Sequence, residues 1–239
     1  MKNFFYDLHI HSCLSPCGDE DMTPNNIANM AALLGLDFIA VADHNSAENC
    51  RAVMNAAGDS VVVLPAIEVC TAEEVHCLVY FSDIDKAESF GRFVYDALPD
   101  IQNNESIFGR QIIRNSLDEE TGRLSKLLIN ACSITADKID SVAKDFGGIC
   151  VPAHINKTSN SVFSNLGYMP PELEFSVMEI WKEENLSSVL SEHPELSDKI
   201  AIFNSDAHYL GHIKEGGSPL KLRERSREAL FEFLKTGKN

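Results

Sequence analysis

Six of the eight histidines in this chain stand with three carboxylates in short clusters: His9, His11, Asp19, His44, Glu68, His76, His154, Asp206 and His208. Only His193 and His212 fall outside them. Imidazole and carboxylate are the natural ligands of zinc, manganese or iron. His9 and His11 lie at i and i+2 in Asp7-Leu8-His9-Ile10-His11. Alternate residues of a strand share a face, so both rings are expected to point the same way, ~6–7 Å apart. Asp43-His44, Glu68, His154 and Asp206-Ala207-His208 each follow an apolar run. Carboxyl ends of strands carry the chemistry of α/β barrels, and histidine is a poor helix cap. The pattern therefore predicts one multinuclear metal site.

His76 opens its apolar run rather than closing it, but the turn-like Thr71-Ala72-Glu73-Glu74 predicts a hairpin that returns it to Glu68. Asp19 occupies a loop, Ser15-Pro16-Cys17-Gly18-Asp19, and Asp43 is placed either to orient an imidazole from behind or to cap a turn. Cys13 and Cys17 flank the first cluster and read as small packing residues, since no second pair completes a four-cysteine site.

The elements that must position these residues alternate. Strands are predicted at Phe4–Ile10, Phe38–Ala42, Val61–Leu64, Val75–Phe81, Ile149–Pro152, Ser176–Ile180 and Ile200–Asn204. Thr23-Pro24 starts a helix with Ile27, Met30, Ala31 and Leu34 on one face, and Gly35 ends it. Further helices are predicted over Ala47–Ala57 and Ser226–Leu234. This alternation implies a parallel sheet, open or closed. Between about 83 and 146 the β pattern is replaced by helical spacing, including Leu124, Leu127, Leu128 and Ala131, which suggests a helical insertion in a single domain over 1–239.

The chain has 239 residues, 44% apolar and 23% charged, which suits one α/β barrel. Its 20 basic and 36 acidic residues give −16, an expectation against duplex nucleic acid as partner. Bound cations would still draw in a small anion. Seven cysteines without disulfide spacing, no leader-like start and no apolar run of ~20 residues suggest a cytoplasmic protein without membrane association.

Taken in order, HxH, a loop acid, Ala-Asp-His, Glu, His, Ala-His and Asp-x-His resemble the PHP (polymerase and histidinol phosphatase) superfamily, from Asp7 to His208. The resemblance implies a distorted (β/α)7 barrel, α/β in class, with three divalent ions (Zn, Mn or Fe). It implies that His9, His11, Glu68 and Asp206 hold one ion. Glu68 would bridge to a second with His76 and His154, and Asp19, His44 and His208 would hold the third. Asp19 stands where many relatives have His.

The expected activity is hydrolysis of a small phosphomonoester by hydroxide activated at this centre, with Glu68, His154 and Asp206 as catalytic residues. Arg110, Lys157 and His212 are candidates for substrate contacts. Three other readings stay open: a nuclease or nucleotide-bisphosphate phosphatase, an amidohydrolase-like C–N hydrolase, and a metal-binding module without activity. Oligomeric state is not legible from the sequence.

Overall fold

Apolar runs become strands where both faces can be buried, and here they assemble a mixed sheet whose edges bring the chemistry together. The structure, a computed structural model, describes residues 1–238. In chain order the elements are β1 (Lys2–Phe4), β2 (Tyr6–Ile10), α1 (Pro24–Leu33), β3 (Phe38–Val41), α2 (Cys50–Ala57), β4 (Val62–Cys70) and β5 (His76–Tyr80). Then come α3 (Ile84–Asp96), α4 (Glu105–Phe108), β6 (Ile112–Arg114), β7 (Glu120–Arg123), α5 (Ile139–Asp145) and β8 (Ile149–Pro152). The remainder holds α6 (Val162–Leu166), β9 (Val177–Glu179), α7 (Leu186–Glu192), β10 (Ile200–Ile202), β11 (Leu220–Leu222) and α8 (Arg227–Thr236).

The central sheet runs β2-β3-β4-β5-β8. The first three strands are parallel, whereas β5 is antiparallel to both β4 and β8. An all-parallel sheet is therefore not what forms, and the cause is the expected hairpin: β4 and β5 pair from Ala66↔Tyr80 to Cys70↔His76. β9 and β10 make a separate parallel pair, and β1 lies antiparallel to β11.

The (β/α)7 barrel is not realised as a closed barrel. Ile155 N–H donates to the Glu179 carbonyl at 3.0 Å, and a lone bridge joins Ile10 to Ala207, but no continuous ladder spans either gap. The physical reason is local. His154 (φ 28°) and Asp206 (φ 53°) leave the extended conformation there, and left-handed backbone cannot carry a ladder.

Sheet periodicity sorts the core into two clusters. Leu64 and Ala66 share one face of β4 with Glu68, as Tyr80 and Leu78 share one face of β5 with His76. These apolar residues join Leu8, Val151, Phe4, Leu222 and the α8 residues Leu230 and Phe233 in one cluster. The ligand candidates thus cap a column of side chains closed off by α8 and the β1–β11 pair. Residues of the opposite face, including Ile39, Val63 and Val79, pack with Ile27 of α1, Val53 of α2 and Phe90 of α3.

The stretch 83–146 is less helical than its spacing suggests. It contains the β6–β7 hairpin, and the segment with Leu124, Leu127 and Leu128 forms no helix. Buried Gln111 explains this: its amide donates to the carbonyls of Leu124 and Lys126 (both 2.8 Å) and accepts Leu128 N–H (2.8 Å). A side chain thereby takes over bonds a helix would have made.

Candidate metal centre

The fully buried Glu68 carboxylate is surrounded by imidazoles. Oε1 lies 3.3 Å from His9 Nε2, 2.8 Å from His76 Nδ1 and 3.1 Å from His154 Nε2. Oε2 lies 3.4 Å from His11 Nε2 and 2.9 Å from His44 Nδ1. Asp206 Oδ1 completes the rim, 3.1 Å from His11 Nε2, 3.5 Å from His9 Nε2 and 3.8 Å from His208 Nδ1. Eight of the nine residues singled out by sequence, all but Asp19, therefore converge on one locus. Glu68 itself lies inside β4, which runs longer than its apolar pattern indicates.

Burial alone pushes Glu68 up, but the His76, His9 and His44 rings overcome it and hold the carboxyl well below the usual range. Asp206 is also depressed: burial raises it, and the His9 charge with the His11 hydrogen bond more than offsets that. His11 goes the other way, pushed well below ordinary imidazole by burial and by the neighbouring His208 and His44. It is a neutral donor of a lone pair.

Two polar supports fix the rings. Glu179, in β9, accepts from His9 Nδ1 (3.1 Å to each oxygen), from His154 N–H (2.7 Å) and from Asn204 Nδ2 (2.7 Å). With Nδ1–H committed to that carboxylate, Nε2 is the nitrogen that His9 turns toward the centre. The same carboxylate turns the His154 N–H away from any ladder, which accounts for its left-handed backbone. Asp43 accepts from Ser12 N–H (2.7 Å), Ser12 Oγ (2.6 Å) and Ser15 Oγ (2.7 Å). Ser15 Oγ, its own proton so committed, accepts from His11 Nδ1 (3.0 Å) and His44 N–H (3.1 Å). Asp43 thus orients His11 through a serine.

Three buried atoms here have no hydrogen-bond partner: His44 Nδ1, Glu68 Oε2 and His154 Nδ1. An unsatisfied buried polar atom costs about 1–3 kcal/mol. His44 Nδ1 and Glu68 Oε2 face each other without hydrogen-bond alignment, and a bound cation would satisfy both. Potential ligand atoms within 4.8 Å of one another form the sets His9/His11/Asp206, His44/Glu68/His76 and His11/His44/His208. The donor chemistry fits divalent metal ions.

The remaining candidates separate. Asp19 turns its carboxylate to the Asp21 N–H (2.9 Å), while its own N–H donates to the His208 carbonyl (2.9 Å). Its backbone reaches the site, and its side chain joins none of the three sets. Cys17, from the same loop, is exposed and likewise joins none of the three sets. Desolvation pushes its thiol up, but the nearby His208 and His44 rings bring it down to about 7. Cys13 is buried as a packing residue should be.

Lys157 contacts Asp206 through Nζ and lines a cavity of about 130 Å³ with Ser159, Asn160 and the ligand candidates. Arg110 is held elsewhere, by Glu20 at 2.9 and 2.5 Å. His212 stacks edge-on with Tyr209 at 5.2 Å and is not part of the cavity wall. The sequence reading passed over Glu179, Ser15 and Asn204. An acid within the apolar run Val177-Met178-Glu179-Ile180 was the available signal for the first.

No family profile and no curated protein matches the chain. Solved structures do. The lesion-specific endonuclease Q of Pyrococcus furiosus superposes with a TM-score of 0.70 at 18% identity, covering 98% of this chain and 56% of that one. Endonuclease Q in complex with a 27-mer duplex carrying an abasic lesion gives 0.68 at 17%, with 98% and 56% covered. A Bifidobacterium adolescentis protein assigned as a metal-dependent phosphoesterase gives 0.63 at 20%, with 95% and 96% covered. A two-domain protein of Bacteroides vulgatus containing a PHP-like metal-dependent phosphoesterase gives 0.54 at 16%, with 98% and 62% covered. At these identities the likeness is one of fold, and net charge, which averages a whole surface, does not describe the mouth lined by the candidate ligands.

Proposed function

Because the chain has the PHP fold, we propose that it is a metal-dependent phosphoesterase. The carrying observation is the Glu68 carboxylate faced by five imidazoles with unsatisfied atoms among them. Divalent cations bound there would supply concentrated positive charge that acidifies a water and neutralises a phosphoryl group. His9, His11, His44, Glu68, His76, His154, Asp206 and His208 are the residues that would hold them, three ions in the fullest loading.

The chain's own groups supply the rest. Glu179 and the Asp43–Ser15 pair keep the ring nitrogens aimed inward. Lys157, beside Asp206, is placed to fix a phosphate oxygen by charge. A cavity of about 130 Å³ is well below the ~300–1,000 Å³ of sites that swallow a whole small molecule. It suits a phosphoryl group, with the rest of the substrate lying outside. The finer reading is a small phosphomonoester. Elemental analysis of the purified chain and turnover on a phosphoester panel test it, together with His9→Ala and Glu68→Ala checked by circular dichroism. Wild-type turnover in either folded variant sinks the scheme.

A second reading, cleavage of a nucleic-acid strand, rests on the fold shared with endonuclease Q. Its mark would be activity falling steeply with salt as phosphate contacts are screened, which a small monoester does not show. Turnover only on amides or cyclic C–N substrates would point instead to an amidohydrolase-like enzyme. Absence of turnover with Mn²⁺, Zn²⁺ and Fe²⁺ each supplied would leave a metal-binding module.

A further inference from the structure

The insertion reaches the metal centre through a buried polar chain that starts at its β6–β7 hairpin. Asn49 stands at the N-terminus of α2, where an asparagine ordinarily caps the helix, yet its side chain makes no capping bond. Both of its polar atoms turn the other way. Oδ1 accepts the Arg114 N–H (2.9 Å), and Nδ2 donates to the Ile112 carbonyl (3.0 Å) and to Ser12 Oγ (2.9 Å). Ile112 and Arg114 are the two ends of β6, so one amide grips that strand and the serine next to His11 together.

From Ser12 the chain runs inward. Ser12 Oγ donates to Asp43 Oδ2 (2.6 Å), Ser15 Oγ donates to Asp43 Oδ1 (2.7 Å), and His11 Nδ1 donates to Ser15 Oγ (3.0 Å). Every donor points toward Asp43, from Asn49 on one side and from His11 on the other. Asn49, Ser12, Asp43, Ser15 and His11 are all fully buried, so no water stands ready to replace a missing link.

The hairpin is a firm anchor for this chain. Asp118, between β6 and β7, accepts Thr23 Oγ1 (2.8 Å) and Asn25 N–H (3.0 Å), and Ile112 N–H donates to the Cys13 carbonyl (3.2 Å). The hairpin therefore straps the loop between β2 and α1 at both of its ends. Inside that loop Gly18 N–H donates to the Ser15 carbonyl (2.8 Å). A Cβ on Gly18 would lie 2.3 Å from the Ser12 carbonyl oxygen, so the winding that brings both serines to Asp43 tolerates no side chain there.

We propose that Asn49 is a positioning residue of the metal centre, through which the inserted hairpin fixes the His11 ring and so sets how tightly ions are held. His11 belongs to two of the three ligand sets, His9/His11/Asp206 and His11/His44/His208, so its aim governs both. The inference rests on the reading of this locus as a metal centre and is independent of the reaction it catalyses.

A double-mutant cycle tests it, with the Zn²⁺ affinity of the whole chain read by competition with a chromogenic chelator. Asn49→Ala should weaken binding ~10-fold and Ser15→Ala ~10–100-fold, the range over which supporting residues alter metal sites. Asn49 acts on Ser15 only through Ser12 and Asp43, so the double variant should bind no more weakly than Ser15→Ala alone. A residue that merely stabilises the fold predicts instead that the two losses multiply. That result would overturn the proposal, as would parental affinity in Asn49→Ala. Ser12→Ala covers the case in which Asn49→Ala does not fold, because it cuts the chain in the middle and leaves the bonds from Asn49 to β6 intact. It should weaken Zn²⁺ binding as Asn49→Ala does, and unchanged affinity would again contradict the proposal. A parent chain that takes up no Zn²⁺ would overturn both this inference and the metal-centre reading beneath it.

Discussion

Glu179 touches no expected cation, yet it holds the His9 ring and the His154 backbone N–H in place. Glu179→Gln keeps its shape and removes the charge that fixes the His9 tautomer. Metal affinity is expected to fall ~10–100-fold, measured by competition with a chromogenic chelator; an unchanged affinity would deny Glu179 this role. Protons compete for the same nitrogens. Against the effect of burial, Glu179 and Glu68 raise His9 well above ordinary imidazole, and Glu68 with Cys17 does the same for His44. Both rings therefore stay protonated to higher pH than free histidine, so affinity should already decline above pH 6.5 as acid is added. A profile flat through neutrality would contradict it. In the metal-free protein Glu68 is depressed, so its stabilising contribution is complete above 4.5 and is lost as pH falls through the lower folded value. At this scale the sequence was most legible, because few side chains bind metals and their type betrays them. Asp19 was over-read because a loop carboxylate cannot be aimed without the turn that holds it, here onto the Asp21 N–H.

Turns and hairpins, more than regular strands, decide which of these side chains meet. The β4–β5 hairpin was readable from Thr71–Glu74, and it alone makes Glu68 and His76 neighbours. The Gly18 turn was not readable, since nothing in the sequence states that Ser12's carbonyl lies over it. Gly18→Ala is expected to cost about 1–3 kcal/mol, because the obstructing atom is backbone and cannot step aside. Thermal unfolding would record the loss; a variant as stable as the parent would refute the packing argument. Barrel closure was over-read for a related reason. Apolar runs announce strands, but the strand ends break at His154 and Asp206, and at His154 the break goes with a backbone hydrogen bond to the distant Glu179. The helix expected around Leu124 failed likewise, against a single buried glutamine.

Across the whole molecule, the locus sits on a column of apolar side chains whose far end is α8. Leu230 is fully buried there and touches none of the ligand candidates' chemistry. Leu230→Ala should cost about 2–5 kcal/mol, and chelator-driven metal loss should quicken in parallel. Lower stability with unchanged metal release would show that floor and rim are uncoupled. Among the described residues no helix is long and apolar enough to cross a membrane. Net charge was the least informative whole-chain quantity, since a sum over 239 residues does not describe the surface around one site.

The seam between the two halves of the chain also sets a timetable. β1 is clasped by β11 through Lys2↔Leu222, and Ile10 is bridged to Ala207, so part of what holds the first strands in place comes from the last ones. While the polypeptide is still leaving the ribosome, His9 and His11 are already present without Asp206 or His208. An ion captured by that early pair would meet an incomplete and flexible set. Correct metallation therefore belongs after synthesis has passed the last of these strands, and newly made protein should acquire its ions in a step separable from translation itself.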